Sequence, residues 1–195
     1  MAFLTDLWLP IVLTAVALFF CSFLAWAILP HHKDDYSSAP DEEAMRSAVR
    51  SLNLAPGRYM FPNCKDSKSM KDPEFQRKMT EGPMGMLNVW PVPSMGKNMA
   101  LTFLTFLIAS AFIAYLARLT LPNGAEFAKV FQVVGAAGIL TWCFSFIPNM
   151  IWFNGGARAI VMCIIDGVVY GLVTGAVFAF LWPAATSGLP FPIGQ

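Results

Sequence analysis

The hydrophobic residues of this chain fall into four long runs with few polar interruptions. The runs cover residues 7–29, 99–117, 131–153 and 159–182. Each is close to the roughly 20 residues that a helix needs to cross a hydrocarbon layer about 30 Å thick. In lipid a segment must satisfy its own backbone hydrogen bonds, so runs of this length favour helices over lone strands. The sequence therefore predicts an all-α membrane protein with four transmembrane helices.

The runs divide the chain into three parts. Residues 1–30 form the first helix, 31–98 a polar segment, and 99–195 a three-helix region with a short C-terminal tail. Pro30 closes the first run, and the connection Asn154-Gly155-Gly156 is short enough to predict an antiparallel hairpin of the third and fourth helices. Because no Lys or Arg precedes the first run and no Ala-x-Ala site follows it, we expect a retained anchor rather than a cleaved signal.

Weaker patterns in the polar segment predict a small α+β unit. A helix is expected from Pro40 to about residue 53, since acids follow the proline and apolar residues recur at helical spacing. A second helix is expected to start at Asp72, and short strands are expected at residues 59–61 and 84–90. A segment of this size has little core of its own, so we expect it to dock on the helical bundle.

Composition narrows the class of protein. Hydrophobic residues make up 56% of the chain and charged residues 13%, which is outside the usual range of soluble proteins. The net charge of +1 gives no electrostatic reason to expect nucleic acid as a partner. The expected partner is the lipid bilayer. Ten of the 13 Lys and Arg residues lie in the polar segment 31–98. The positive-inside rule therefore places residues 31–98 in the cytoplasm and both termini outside.

Asp166 is the only full charge within the four runs, and it is the first candidate for a functional residue. Tyr170 and Thr174 follow at steps of four, so the three residues share one helix stripe. Ser145 and Asn149 on the third helix should lie at a similar depth. Two interpretations stay open: hydrogen bonds that lock two helices together, or a proton or cation site. The first is favoured because no second intramembrane charge accompanies Asp166.

Small residues follow the same helix at intervals of four, at Gly167, Gly171 and Gly175. This spacing lets another backbone approach closely inside lipid. The neighbour is either the third helix of the same chain, through Gly135 and Gly138, or another membrane helix in a homo-oligomer or a partner protein.

Metal-binding chemistry has one weak candidate, the pair His31 and His32 with Asp34 and Asp35 beside it, where the first helix leaves the membrane. Adjacent histidines point in different directions, and no third ligand lies at a recognisable offset. The 4 cysteines form no paired motif, and no catalytic motif is present. We therefore expect no cofactor, and an enzyme is the less favoured class.

Three segments resemble an uncharacterised family of small bacterial four-span integral membrane proteins. They are the polar run 31–35, the stretch 54–62 around Pro56-Gly57-Arg58, and the stretch from Ile165-Asp166-Gly167 to Trp182-Pro183. The resemblance implies the bacterial inner membrane and brings no activity, substrate or catalytic residue.

These observations favour a non-enzymatic interaction protein or accessory membrane subunit. Its support is the glycine stripe, the missing catalytic motifs and a polar segment that needs a surface to lie on. The alternative is a small transporter or channel that uses Asp166.

Overall fold

The computed structural model describes residues 2–64 and 66–185, so the last ten residues of the predicted C-terminal tail lie outside the described residues. This described part of the chain is mostly helical (69%) and contains one small two-stranded sheet. Its α-helices and strands, in chain order, are α1 (Ala2–Asp6), α2 (Trp8–Phe23), α3 (Glu42–Ser51), β1 (Gly57–Phe61), α4 (Pro73–Glu81), β2 (Gly85–Val89), α5 (Met95–Thr120), α6 (Phe127–Cys143), α7 (Ile147–Trp152) and α8 (Ala157–Phe180).

The chain forms two compact units. Residues 1–36 and 95–195 make up the helical unit, and residues 37–94 make up the polar unit.

The helical unit confirms the predicted number of long apolar helices. Among the described residues, four helical segments are long and apolar enough to cross a membrane: Trp8–Ile28, Met95–Thr120, Phe127–Trp152 and Ala157–Phe180. Their mean hydropathy lies between 1.8 and 2.5. At 1.5 Å per residue, each is about 30 Å long or more, which matches the thickness of a hydrocarbon layer.

The first long helix changes its geometry before it ends. After α2 the chain continues as a π-helical turn, Leu24–Ile28, and then as a 3₁₀ turn, Pro30–Asp35. Leu29 between them is extended, with φ −73° and ψ 143°, because the ring of Pro30 disfavours helical backbone in the preceding residue. The proline itself suits the first position of the new turn. The two histidines therefore lie on a tight turn rather than on a continuous helix.

The third apolar run is not the single continuous helix that the sequence predicts. It is interrupted at residues 144–146, between α6 and α7, and Pro148 lies in the first turn of α7. A proline ring clashes with the carbonyl four residues earlier, which here is that of Phe144. The helix therefore stops before the proline and starts again around it.

Glycines hold α6 and α8 at close range. A Cβ atom added to Gly171 would lie 2.6 Å from the backbone nitrogen of Ile139, and one added to Gly175 would lie 3.0 Å from Cα of Gly135. Gly138 faces Gly171 in the same way, since a Cβ atom added to Gly138 would lie 2.8 Å from Cα of Gly171. These glycines face a helix of the same chain, so the packing occupies the surface that an intermolecular contact through them would need.

Buried apolar side chains fill one end and the middle of the helical unit. At the end where α2 begins and α8 ends, a cluster includes Leu7, Ile11, Val130, Val134 and Phe178. A second cluster, nearer the middle, consists of Ala15, Leu18, Phe106 and Tyr170. The opposite end of the helical unit, where the first long helix ends and α8 begins, carries His31 and His32.

The polar unit confirms the predicted order of helix, strand, helix and strand. β1 and β2 pair antiparallel, with Tyr59 opposite Leu87. The side chains of Asp41 and Asp72 accept hydrogen bonds from backbone N–H groups in the first turns of α3 and α4, as good N-caps do. Among the described residues of 37–94 none is fully buried, so the unit has no core of its own. Its expected docking on the helical bundle stays a prediction.

Candidate functional site

The 3₁₀ turn after α2 lies against the first turns of α8. This turn carries His31 and His32, and α8 carries Asp166 in its third turn. Nε2 of His31 is 3.0 Å from Oδ1 of Asp166. Nε2 of His32 is 2.9 Å from Oδ2 of the same carboxylate. Two imidazoles from one turn thus share the carboxylate of a residue more than 130 positions further along the chain.

A second carboxylate contacts the other ring nitrogen of His32. Its Nδ1 lies 2.5 Å from Oδ2 of Asp35, and Oδ1 of Asp35 accepts a hydrogen bond of 3.1 Å from Arg158. Arg158 also pairs with the exposed Asp34 at 3.1 Å. The contacts run from the surface inward, from arginine to aspartate, to histidine and to Asp166.

Burial and stacking fix the ring of His32. The residue is 7% exposed, and the ring of Trp26 stacks on it with centroids 3.8 Å apart and planes 5° from parallel. Indole and imidazole planes in this arrangement leave the ring little freedom to rotate. His31 lies beside it, with ring centroids 4.3 Å apart.

The charge of His32 follows from its partners. Burial lowers the pKa of His32, but hydrogen bonds and charge attraction from Asp166 and Asp35 outweigh that effect, so the pKa is raised above its ordinary value. Ionised carboxylates only accept hydrogen bonds, so both ring nitrogens need a proton to donate to both partners. With nothing else bound, the cluster therefore favours a protonated His32.

None of the other residues predicted to share the site with Asp166 hydrogen-bonds to it in the described part of the chain. Tyr170 and Thr174 are buried on the same stripe of α8, and the hydroxyl of Thr174 donates to the carbonyl of Tyr170 at 2.7 Å. Ser145 and Asn149 are exposed, and neither bonds to Asp166 in the described chain. The interruption between α6 and α7 explains this difference, because Ser145 no longer belongs to a continuous helix that faces α8.

The sequence indicates both parts of this cluster, Asp166 and the two histidines, but it does not indicate that they are in contact. Asp166 and the two histidines are separate candidates in the sequence, because ligands of one metal ion are recognised there by short offsets. Asp35 stands in the same short polar run as the histidines and is part of that weak candidate, whereas no sequence pattern marks Arg158 as part of a site. A local signal exists in Pro30, which predicts a turn that can direct the following residues back towards the bundle.

The donors at this site suit a metal ion. One ligand atom from each of His31, His32 and Asp166 can be chosen so that the three lie within 4.8 Å of one another. Imidazole nitrogens and a carboxylate oxygen are common ligands of Zn²⁺ and neighbouring transition metals. Without an ion, the same groups form a buried ion pair that ties the end of the first long helix to α8.

Comparisons with protein families, with curated proteins and with solved structures gave no match to this chain. The resemblance to a bacterial four-span family therefore stays a prediction.

Proposed function

We propose that this chain is a multi-pass membrane protein that binds a divalent transition-metal ion, Zn²⁺ before others, through His31, His32 and Asp166. The observation that carries the proposal is the convergence of both Nε2 atoms on one carboxylate, at 3.0 and 2.9 Å. Ligand atoms around a tetrahedral Zn²⁺ lie about 3.3 Å apart. Shifts of a few tenths of an ångström would bring those two pairs to that spacing, and all the ligand atoms of the cluster already lie within 4.8 Å of one another.

The surroundings of His32 resemble those of a metal-binding histidine. In metal sites the ring nitrogen that faces away from the ion donates to a carboxylate or carbonyl, which fixes the ring and its tautomer. Nδ1 of His32 has such a partner in Asp35, and Arg158 holds Asp35 in place. With the proton on Nδ1, the lone pair of Nε2 is directed at Asp166. A metal ion there replaces the proton that Nε2 otherwise carries.

Binding suits the geometry better than passage of the ion through the bundle. A transporter or channel, the alternative raised by the sequence, needs a polar path from Asp166 to the opposite end. That end is filled by apolar side chains, and Leu7, Val130 and Phe178 are each 0% exposed. We therefore place the role of Asp166 in holding an ion.

Zinc titration of the protein in lipid nanodiscs tests this proposal. The chain contains 2 histidines, both in the cluster, so ¹⁵N-histidine labelling reports on this site alone if the purification tag has no histidine. We expect one Zn²⁺ per chain by elemental analysis, with both imidazole signals shifting together.

The control for this titration is Cys163→Ser, which removes a thiol on α8 that lies one helical turn before Asp166 and could offer zinc another ligand. This variant should bind zinc as the parent does. Absence of stoichiometric zinc, or binding that leaves both imidazole signals unshifted, would contradict the proposal.

Interaction with another membrane protein is the second candidate function. Its support is the polar unit, which has no fully buried residue in its described part and exposes Trp90 at 77% and Val92 at 94%. Cross-linking in a mild detergent tests it, since a partner or a second copy should be captured through residues 37–94. A strictly monomeric protein with no cross-linked partner would count against this role.

The membrane and the orientation belong to the same proposal. The family resemblance favours the bacterial inner membrane. The concentration of Lys and Arg between the first and second long helices favours a cytoplasmic polar unit with both termini outside. The ion pairs from Arg158 to Asp34 and Asp35 fit this orientation, because they place the basic residue of the last hairpin at the same end as the start of the polar segment.

A further inference from the structure

A cavity of about 320 Å³ lies beside the candidate metal site, between the first long helix and α8. Its walls are mostly apolar and include Leu24 and Val169, while His31 and Asp166 form part of its lining. The volume is at the lower end of the roughly 300 to 1,000 Å³ usual for ligand cavities. The cavity therefore suits one small amphiphile with an apolar body and a polar head.

The mouth of this cavity is apolar. Leu24, Leu29, Ile165 and Val169 line it and are 44 to 51% exposed. Three of the four belong to helical segments apolar enough to span a membrane, and Leu29 directly follows one of them. In a bilayer such exposed side chains face acyl chains, so a ligand enters from the lipid and not from water.

Tyr170 also lines the cavity, one helical turn after Asp166 on α8. It is 9% exposed, and its hydroxyl is buried next to Ser22. The aromatic ring of Tyr170 therefore adds to the mostly apolar wall of the cavity.

The metal site is closed on the side away from the cavity. His32 is 7% exposed, the side chain of Asp35 is 5% exposed, and Trp26 covers the imidazole of His32. His31 and Asp166 are the two proposed metal ligands that line the cavity. With three protein ligands, a zinc ion keeps a fourth position for an outside ligand, and the cavity is where that ligand can approach.

From these features we infer that the cavity binds a single-chain amphiphile with an anionic oxygen head group, of the medium-chain fatty acid class. The inference rests on the proposed metal site. Zn²⁺ with the one carboxylate of Asp166 leaves a net positive charge, which attracts a carboxylate head. Without the ion, the protonated His32 only balances the charge of Asp166, so a carboxylate head gains no such attraction. Binding of the fatty acid therefore depends on zinc.

Equilibrium binding of isotope-labelled decanoate to the full chain in nanodiscs tests this inference. We expect zinc loading to increase decanoate affinity at least tenfold over chelator-treated protein. Decanol, which has the same chain and no charge, should show no such dependence on zinc.

Two tryptophan variants on α8 separate the cavity from the surface around it. Val169→Trp places a large ring at the cavity mouth and should abolish decanoate binding. Leu172→Trp, at 42% exposure a close match for Val169 at 44%, does not line the cavity and should bind decanoate normally. Both variants should bind zinc like the parent, because neither residue belongs to the metal cluster.

The results distinguish the two proposals. Normal zinc binding with decanoate affinity independent of zinc, or equal effects of the two tryptophans, would overturn the fatty-acid inference and leave the metal site standing. Failure to bind zinc would remove both.

Discussion

Replacement of Asp166 by asparagine is expected to lower zinc affinity at least about 100-fold, because even outer partners of metal ligands cost 10- to 100-fold when removed. The amide keeps the size of the side chain and one oxygen, but it carries no charge. Both imidazoles lose the anion that they share at 2.9 to 3.0 Å. Zinc titration in nanodiscs, followed by the two histidine signals, measures the loss.

Asp34→Asn is the matched control for this substitution. Asp34 is a neighbouring carboxylate whose side chain is 77% exposed, and it pairs with Arg158 rather than with an imidazole. The same charge change there should leave zinc affinity within about twofold of the parent, because interactions between exposed charges are weak. Equal zinc affinities for Asp166→Asn and the parent would show that the ion, if bound, is held elsewhere.

Gly171→Ala is expected to destabilise the helical unit by about 1 to 3 kcal/mol, the usual effect of overpacking a tight contact. The added methyl group would lie 2.6 Å from a backbone nitrogen and 3.0 Å from a Cα atom of Ile139. Backbone atoms cannot rotate away as a side chain can, so α6 and α8 must separate. Equilibrium unfolding in mixed SDS micelles, followed by circular dichroism, measures the change in free energy.

Gly96→Ala provides the comparison. Gly96 lies near the start of α5, and an added Cβ there meets no atom of the described residues within 4 Å. Alanine also favours helix over glycine, so stability should be unchanged or slightly raised. If the two alanine variants unfold at the same SDS fraction, the close approach of α6 and α8 does not contribute to the stability of the helical unit.

The four apolar helices are predictable because length and hydropathy are enough to define a membrane-crossing segment. Their ends are less predictable. The second long helix begins at Met95 rather than at residue 99, since Gly96, Lys97 and Asn98 end the apolar pattern without ending the helix. Backbone hydrogen bonds continue past the point where side chains stop being apolar.

The polar unit is predictable in its order of elements for local reasons. Asp41 and Asp72 cap helices through their own side chains, and such signals lie within a few residues of each other in the sequence. The same signals do not predict that the two strands pair, because pairing depends on contacts between residues far apart in the chain.

The cluster around Asp166 cannot be assembled from sequence for the same reason. The short loop before α8 indicates that the third and fourth apolar runs are neighbours, and it therefore favours Ser145 and Asn149 as partners of Asp166. Nothing local indicates that the first long helix also packs on α8. Without that contact, His31 and His32 have no visible connection to Asp166.

The distance in sequence between the histidines and Asp166 has a thermodynamic consequence. An unfolded chain still offers zinc two adjacent imidazoles, but it brings no carboxylate from the far end of the polypeptide to meet them. An ion that prefers the folded form stabilises it by about 2.7 kcal/mol when its free concentration is 100 times the dissociation constant. Zinc would thus act as a reversible crosslink between the first long apolar helix and α8, and the protein would be most resistant to denaturation when the metal is plentiful.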